Sequence, residues 1–405
     1  MFSKKKGNTN VFSFPKGYNW RHWNNSNRVD YVLSIVSLGQ LVLAMAQQLL
    51  IFNGIPSEIT STFRIISSAL TIFLALPFIL KRNLVGFILT YIIALIIYII
   101  CTTLFPYTEE PWIKEGFRFL LPICIPTCFC VALVRKKAIF YIAFKHVSYL
   151  LTLMGFLLGL RIFSGAYVVE SYNMSLGYLL LIPIIVMFYI RKPLSLAIGL
   201  ILVAILFAYG SRGPLVALAA FLTYLVISRG SIKMAFLIAL IFSLGYSAMS
   251  TYMKDNDIKS RTFLLMESGE FISYDAGRDD IQETVIKAIW EKPLTGWGIY
   301  GDRYASNTVY SHNIILEVFC DFGIITGTFL LAFFFYYLIK TFIKSNMMNR
   351  DVLFILFCAS FIPLLVSSSF LNNTDFALFL GFIVLLNKKK NRKNKKVRTI
   401  IVTAK

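Results

Sequence analysis

Three side chains in this 405-residue chain have the types and settings of a group-transfer site: His312, Arg212 and Arg278. His312 stands in Tyr310-Ser311-His312-Asn313. An imidazole there is neutral near pH 7 and accepts a proton, although a histidine at a membrane interface can equally serve as a cap. Arg212 lies in Ser211-Arg212-Gly213-Pro214. Proline suits a helix start, so the guanidinium is predicted beside free backbone N–H groups, a setting that attracts phosphate. Arg278, in Gly277-Arg278-Asp279-Asp280, repeats the arrangement ahead of a second predicted helix, with a salt bridge to Asp279 or Asp280 as the competing reading. Arg64, Arg118 and Arg161 each fall at the end of an apolar run on the same predicted side. Singly such arginines snorkel, whereas several at one level make an anion site, which the forked guanidinium suits. Glu317 and Asp321 follow His312 at helical spacing. Glu317 falls about 140° around the helix from His312, which makes it a partner for an arginine rather than the orienter of the imidazole.

These residues need a scaffold, and composition states which. Apolar residues make up 57% of the chain and charged residues 15%, against roughly 25% charged in average globular domains. The apolar excess is gathered into runs approaching the ~20 residues that cross a bilayer. The expected fold is all-α: a polytopic membrane protein of about twelve transmembrane helices. The runs lie near Tyr31 to Phe52, Phe63 to Leu80, Leu84 to Phe105, Phe117 to Leu133, Ile139 to Leu160, Met174 to Ile190, Leu194 to Tyr209, Pro214 to Ile227, Met234 to Tyr252, Ile314 to Ile339, Val352 to Val366 and Phe376 to Leu386. The last is the shortest. No removable signal peptide is visible, so the first span is expected to direct insertion.

The charge pattern supports an even count. Forty Lys+Arg against 20 Asp+Glu leave a formal charge of +20. Every second connection carries a basic cluster, from Lys81-Arg82 through Arg135-Lys136-Lys137 and Arg191-Lys192 to the tail after Lys388. Placing these connections and both tails in the cytoplasm puts 28 basic and 2 acidic residues there, and leaves 12 basic and 18 acidic outside. That asymmetry is the positive-inside pattern, and it accounts for a basic excess that would otherwise suggest nucleic acid. The predicted organisation is a cytoplasmic basic tail (1–30), nine spans (31–252), an outer loop (253–312), three spans (313–387) and a cytoplasmic basic tail (388–405). The C-terminal Lys/Arg run reads as an anchor against anionic lipid.

The outer loop is long enough to be functional. Asp280-Ile281-Gln282-Glu283 resembles a capping box, Ile281, Val285, Ile286 and Ile289 fall on one helical face, and Lys292-Pro293 stops that helix. Gly296-Trp297-Gly298-Ile299-Tyr300-Gly301 matches G-x-G-x-x-G as text but lacks the strand and βαβ context of a dinucleotide site. Gly323 and Gly327 read as a small-residue surface for helix packing. The six cysteines all fall in apolar runs and read as buried hydrophobes, with neither a disulfide framework nor a metal site indicated.

The order of these motifs resembles a known family. An arginine in an outward Ser-Arg-Gly turn (Arg212) is followed by a large loop with Gly-Arg (Arg278), a helix ending in Trp290 and a Gly-x-Gly run. Ser-His-Asn (Ser311 to Asn313), Leu316, Phe322-Gly323 and Gly327 complete the series. Over roughly Ala208 to Phe335 the chain is similar to the O-antigen ligase/polymerase (Wzy-like) family of bacterial membrane glycosyltransferases. The resemblance implies an enzyme that takes a glycan from an undecaprenyl-diphosphate donor at the outer face of the plasma membrane, without metal or other cofactor and with inversion. It implies that Arg212 and Arg278 hold the diphosphate and that His312 is the base. It leaves Arg64, Arg118, Arg161, Glu317 and Asn313 as expected substrate-binding residues.

The implied partners are the lipid-linked donor, a glycan or lipid acceptor, the bilayer and other polysaccharide-assembly proteins, with no nucleic acid. Among acceptors a second lipid-linked repeat unit is expected, which makes a polymerase of surface polysaccharide. Ligation to lipid A-core or to protein is the alternative. A transporter or flippase is the reading from another class, but span centres nearly free of charge argue against it.

Overall fold

The computed structural model describes residues 23–104, 117, 119–166, 174–190, 192–210, 212–229, 278–307, 310–366 and 368–388, with isolated positions 243, 247, 251, 255 and 268. Arg118, the ninth predicted span, most of the loop before Arg278 and the two basic tails outside 23–388 lie outside the described residues. Within them the chain is all-helical. The helices are α1 (Asn25–Phe52), α2 (Ser57–Leu104), α3 (Ile125–Ala132), α4 (Lys137–Arg161), α5 (Met174–Ile190), α6 (Pro193–Tyr209) and α7 (Arg212–Arg229). They continue with α8 (Arg278–Glu291), α9 (Gly301–Ser306), α10 (Ile314–Lys344), α11 (Met347–Val366) and α12 (Thr374–Asn387). A π-helical turn, Leu120–Cys124, leads into α3, and another, Ile162–Ala166, extends α4. Five of these elements are long and apolar enough to cross a membrane: α1, α2, α4, α10 and α11. Leu120–Ala132, Ser175–Ile190, Pro193–Tyr209, Arg212–Ser228 and Thr374–Asn387 are apolar but shorter.

Two of the long elements are broken, and each break has a sequence cause. Helix α2 leaves helical geometry at Asn83 (φ −159°, ψ 62°), directly after the Lys81-Arg82 pair. At 1.5 Å per residue its 48 residues would extend about 72 Å, more than twice the ~30 Å apolar core of a bilayer. The break therefore divides it into the second and third predicted spans. Helix α10 breaks at Gly323 (φ 76°, ψ 165°), a conformation accessible essentially only to glycine. The 21 residues of 324–344 then rise about 31 Å, one crossing. Gly323 thus breaks the helix inside the run predicted as a span from Ile314 to Ile339.

Helix α1 packs on α2 and α4, α12 on α3, α5 on α6, and α11 on α7. At one end of this bundle Asp30 organises the basic turns. Its carboxylate takes Arg82 Nη1 at 2.6 Å and the backbone N–H groups of Arg135 (3.1 Å) and Lys136 (3.0 Å). Arg82 also donates to the carbonyls of Leu133 (2.7 Å) and Ser26 (3.3 Å). Lys137 Nζ reaches the Leu386 carbonyl at 3.2 Å, and Tyr141 donates to Asn349 at 2.5 Å. Asp351 accepts from Tyr189 and, at 2.7 Å, from Tyr224. The start of α1, the turns before α4 and α11, and the end of α12 are thereby held at one level, opposite the level that carries His312.

Candidate active site

The site is built on the broken helix. Leaving helical geometry at Gly323 frees backbone groups that must find partners elsewhere. The glycine-rich run supplies them. Trp297 N–H donates to the Cys320 carbonyl (2.8 Å), Gly298 N–H to the Asp321 carbonyl (2.9 Å), and Ile324 N–H to the Pro293 carbonyl (2.7 Å). Gly296 and Gly323 meet back to back, both at positive φ, with no room for a Cβ on either. The G-x-G-x-x-G text is thus a clasp on α10. Gly323 is the break rather than a packing surface, and Gly327's nearest neighbours are Val318 and Phe319 of α10 itself. Helix α8 lies against the same half of α10 through Val285, Ala288 and Ile289, beside Cys320. Ile286, predicted on that face, is exposed. The predicted capping box is absent: Asp280 lies inside the helix and its carbonyl accepts from Thr284, while Glu283 pairs with Lys287 at 2.8 Å on the surface.

Three buried carboxylates pin the connection between clasp and α10. Asp321 accepts from the N–H groups of Tyr300 (3.3 Å) and Asp302 (3.4 Å). Asp302 in turn accepts from Ser311 N–H at 2.8 Å, which fixes the residue before His312. Burial pushes the Asp302 carboxyl up, opposed by the Arg303 charge and the Ser311 N–H. Glu317 accepts from Ser369 Oγ and from Phe370 N–H (3.2 Å), tying α10 to the turn before α12. Arg303 donates to the same Ser369 hydroxyl at 2.9 Å and lies over the Tyr300 ring at 4.3 Å. Among the described residues Glu317 thus pairs with Ser369 and Phe370 rather than with Arg64, Arg161, Arg212 or Arg278. Its depth in the first part of α10 is made tolerable by enclosing protein and these donors.

His312 itself sits at φ 58°, a left-handed conformation uncommon for a side chain of this size. Its ring packs tilted against Tyr310 with centroids 4.2 Å apart, and its Nδ1 is buried with no hydrogen-bond partner among the described residues. Burial, and secondarily the charge of Arg278, push the imidazole down to about 4, so it is neutral at physiological pH. Arg278 is the first residue of α8 rather than a loop residue ahead of it. Arg212 likewise begins α7, two residues earlier than the predicted start at Pro214, and follows a left-handed Gly210 cap on α6.

Beside His312 lies a polar cavity of about 260 Å³ whose wall includes Tyr310, Arg303 and Arg64. Arg64 does not snorkel: it donates to Gln47 (3.0 Å) and Thr374 (3.5 Å) and lies 5.2 Å over Phe119. Arg161 is exposed at the end of α4 and does not line this cavity. Asn313, expected to bind substrate, caps α10 through its side-chain oxygen, which accepts from Ile315 N–H at 2.9 Å. The structure therefore brings together Arg278, His312 and Tyr310 on one side and Arg64 with Arg303 on the other. Arg303 was not singled out by the sequence, though it is an outward basic residue nine positions before His312.

Residues 196–332 match the family model described as O-antigen ligase. The likeness is confined to this segment. It covers about a third of the chain and contains Arg212, Arg278, the clasp, Arg303, His312, Glu317 and the Gly323 break. The match likens this part of the chain to the membrane enzymes of that family. Arg64 and the cavity wall after Ser368 lie outside it. No curated protein and no solved structure matches the chain.

Proposed function

We propose that this protein transfers a glycan from an undecaprenyl-diphosphate donor to an acceptor hydroxyl at the outer face of the bacterial plasma membrane, and that the acceptor is a second lipid-linked repeat unit. The single observation that carries the reading is His312, whose buried Nδ1 has no hydrogen-bond partner among the described residues and whose imidazole feels the charge of Arg278. In the proposed step the acceptor oxygen attacks the anomeric carbon of the donor sugar. The bond from that carbon to the diphosphate oxygen breaks, and the diphosphate leaves with the electron pair toward Arg278 and Arg212. The hydroxyl proton passes to His312. One displacement inverts the anomeric centre. Diphosphate is already a good leaving group, so the enzyme needs chiefly a cation to hold the developing charge and a positioned base. A lipid-borne donor also accounts for a site at one end of the helix bundle.

In this reading the Asp30 end of the bundle is cytoplasmic, since the basic turns gather there. The test is incubation of the purified protein with one lipid-linked repeat unit and no other acceptor. A ladder of longer lipid-linked glycans is expected. His312→Ala should lower its rate by about 10² to 10⁴ while donor binding persists. Arg278→Lys should lose most activity, because an ammonium does not replace a bidentate guanidinium. Donor consumed only when lipid A-core or a protein acceptor is added overturns the polymerase assignment in favour of ligation. Wild-type rates in both variants overturn the site.

A further inference from the structure

Two buried side chains on the wall of the 260 Å³ cavity have polar atoms without a hydrogen-bond partner among the described residues: Gln48 Oε1, an acceptor, and Arg303 Nε, a donor. Both residues are more than nine-tenths buried, at 8% and 7% exposure. Buried polar groups are ordinarily satisfied, so the pair marks a place where something else binds. An anion answers only half of this requirement, because phosphate oxygens accept from Arg303 but repel a carbonyl oxygen. A hydroxyl answers both, since it donates and accepts at once. The rest of the wall has the same mixed character. Asp375 and Asn372 stand with Arg64 and Tyr178, so beside Arg303 the wall holds one further cation and one carboxylate. The volume falls just below the roughly 300 to 1,000 Å³ of sites for drug-sized ligands, and it far exceeds the roughly 30 Å³ of one water. One sugar ring is the fitting size.

The position of the cavity says which sugar. Tyr310 lines it and packs against His312 with ring centroids 4.2 Å apart, and the charge of Arg278 acts on both rings. The base thus adjoins the cavity wall. We infer that the cavity is the acceptor subsite and holds one neutral sugar ring, with Gln48 Oε1 accepting from one of its hydroxyls and Arg303 Nε donating to another. The inference rests on the transferase reading for the word acceptor, but sugar binding can be measured without transfer.

The experiment is thermal melting of the full chain in detergent with methyl glycosides of a hexose, an N-acetylhexosamine, a deoxyhexose and a hexuronic acid, and with sodium pyrophosphate. At least one neutral glycoside should raise the melting temperature of the wild type. In Gln48→Leu its apparent Kd should rise about tenfold or more, as expected for one lost hydrogen bond at a desolvated site. Pyrophosphate should still stabilise Gln48→Leu and should lose its effect in Arg278→Gln. If Gln48→Leu does not accumulate, Gln48→Met replaces it. The inference is overturned if no neutral glycoside stabilises the wild type, if the Gln48 variant retains the glycoside effect, or if pyrophosphate binding is what Gln48 controls. A protein that binds a glycoside but transfers no glycan sinks the transferase reading and leaves the sugar site standing. Transfer without glycoside binding does the reverse.

Discussion

The back-to-back contact of Gly296 and Gly323 offers a sharp perturbation, because it lies in the clasp and away from any group that touches substrate. A Cβ on Gly296 would stand 2.5 Å from the Asp321 carbonyl oxygen and from Gly323 N. A Cβ on Gly323 would stand 2.6 Å from the carbonyl carbon of Leu294 and 2.9 Å from the Pro293 oxygen. All of these are backbone atoms, so no rotamer change relieves the clash. Either alanine must also adopt positive φ, and at Gly323 the glycine-only region costs on the order of 1 to 3 kcal/mol. The remaining escape is to part the two segments, which breaks the three clasp hydrogen bonds at about 1 kcal/mol each. Each single variant should therefore lose about 3 kcal/mol. At roughly 2 to 4 °C per kcal/mol, a figure that shrinks with chain length, the melting temperature should fall by about 10 °C or less. Parting the clasp releases Asp321 from Tyr300 and Asp302, and with them the Ser311 N–H that places His312. Transfer should drop further than the melting shift alone explains. The assay is initial transfer rate at equal membrane abundance, beside the melting curve. Once one alanine has opened the clasp the second has little left to break, so the double variant should cost scarcely more than either single. Additive losses, or wild-type rates in both single variants, refute the clasp.

Other outcomes can be stated briefly. With His312 as base, activity is lost as pH falls through its pKa, so the acid limb of kcat/KM in the free enzyme should lie near pH 4 and that of kcat higher, once a bound diphosphate offsets Arg278. Arg278→Gln removes the cation and should move the free-enzyme limb upward, short of the ordinary value because burial persists; an unmoved limb contradicts this. Asp30→Ala leaves Arg82 buried and unpaired and should cost about 3 to 5 kcal/mol, whereas Asp30→Ala with Arg82→Met should recover part of the loss in melting temperature. Cysteine placed at the exposed Glu283 should react with an impermeant thiol reagent on whole cells and cysteine at Lys388 should not; the opposite pattern inverts the topology.

What the sequence made legible follows from what leaves a strong one-dimensional mark. Apolar runs between basic clusters mark helices, and Lys81-Arg82 announced the division of α2 although the helix runs through to Asn83 before breaking. Gly323 left no such mark, because neither a basic cluster nor a proline accompanies it, and its partner Gly296 is 27 positions away. His312 was legible from its Ser-His-Asn setting, yet its left-handed backbone goes with Ser311 being held by Asp302, a contact between two turns. Arg303 stands in no motif, and its place depends on contacts remote in sequence: Asp302 bonds to Ser311, while Arg303 bonds to Ser369 and lies over the Tyr300 ring. Gln48 is an ordinary helix residue in sequence, and only the convergence of α1, α5 and the turn before α12 encloses it. Helix starts at Arg212 and Arg278 were misplaced by two residues because proline and paired acids signal a first turn without fixing its first residue.

Setting the base beside a cation has a chemical consequence. A histidine pushed down to about 4 is a weak base, and in the free protein it would draw little from an acceptor hydroxyl. The same arginine that depresses it is the proposed grip for the diphosphate. When two or more negative charges arrive at Arg278, the repulsion on the imidazolium falls and the ring gains basicity while the acceptor is being positioned. The base is then strongest only in the complex that has something to transfer. Water entering the cavity of a donor-free protein meets an imidazole that is already neutral but poorly disposed to take a proton, and with the donor bound a sugar in the Gln48–Arg303 cavity excludes that water. The arrangement favours transfer over hydrolysis by making basicity depend on the donor and access depend on the acceptor. Its direct consequence is that removing Gln48's hydrogen bond should raise the fraction of donor lost to water, whereas removing Arg278 should slow transfer and hydrolysis together.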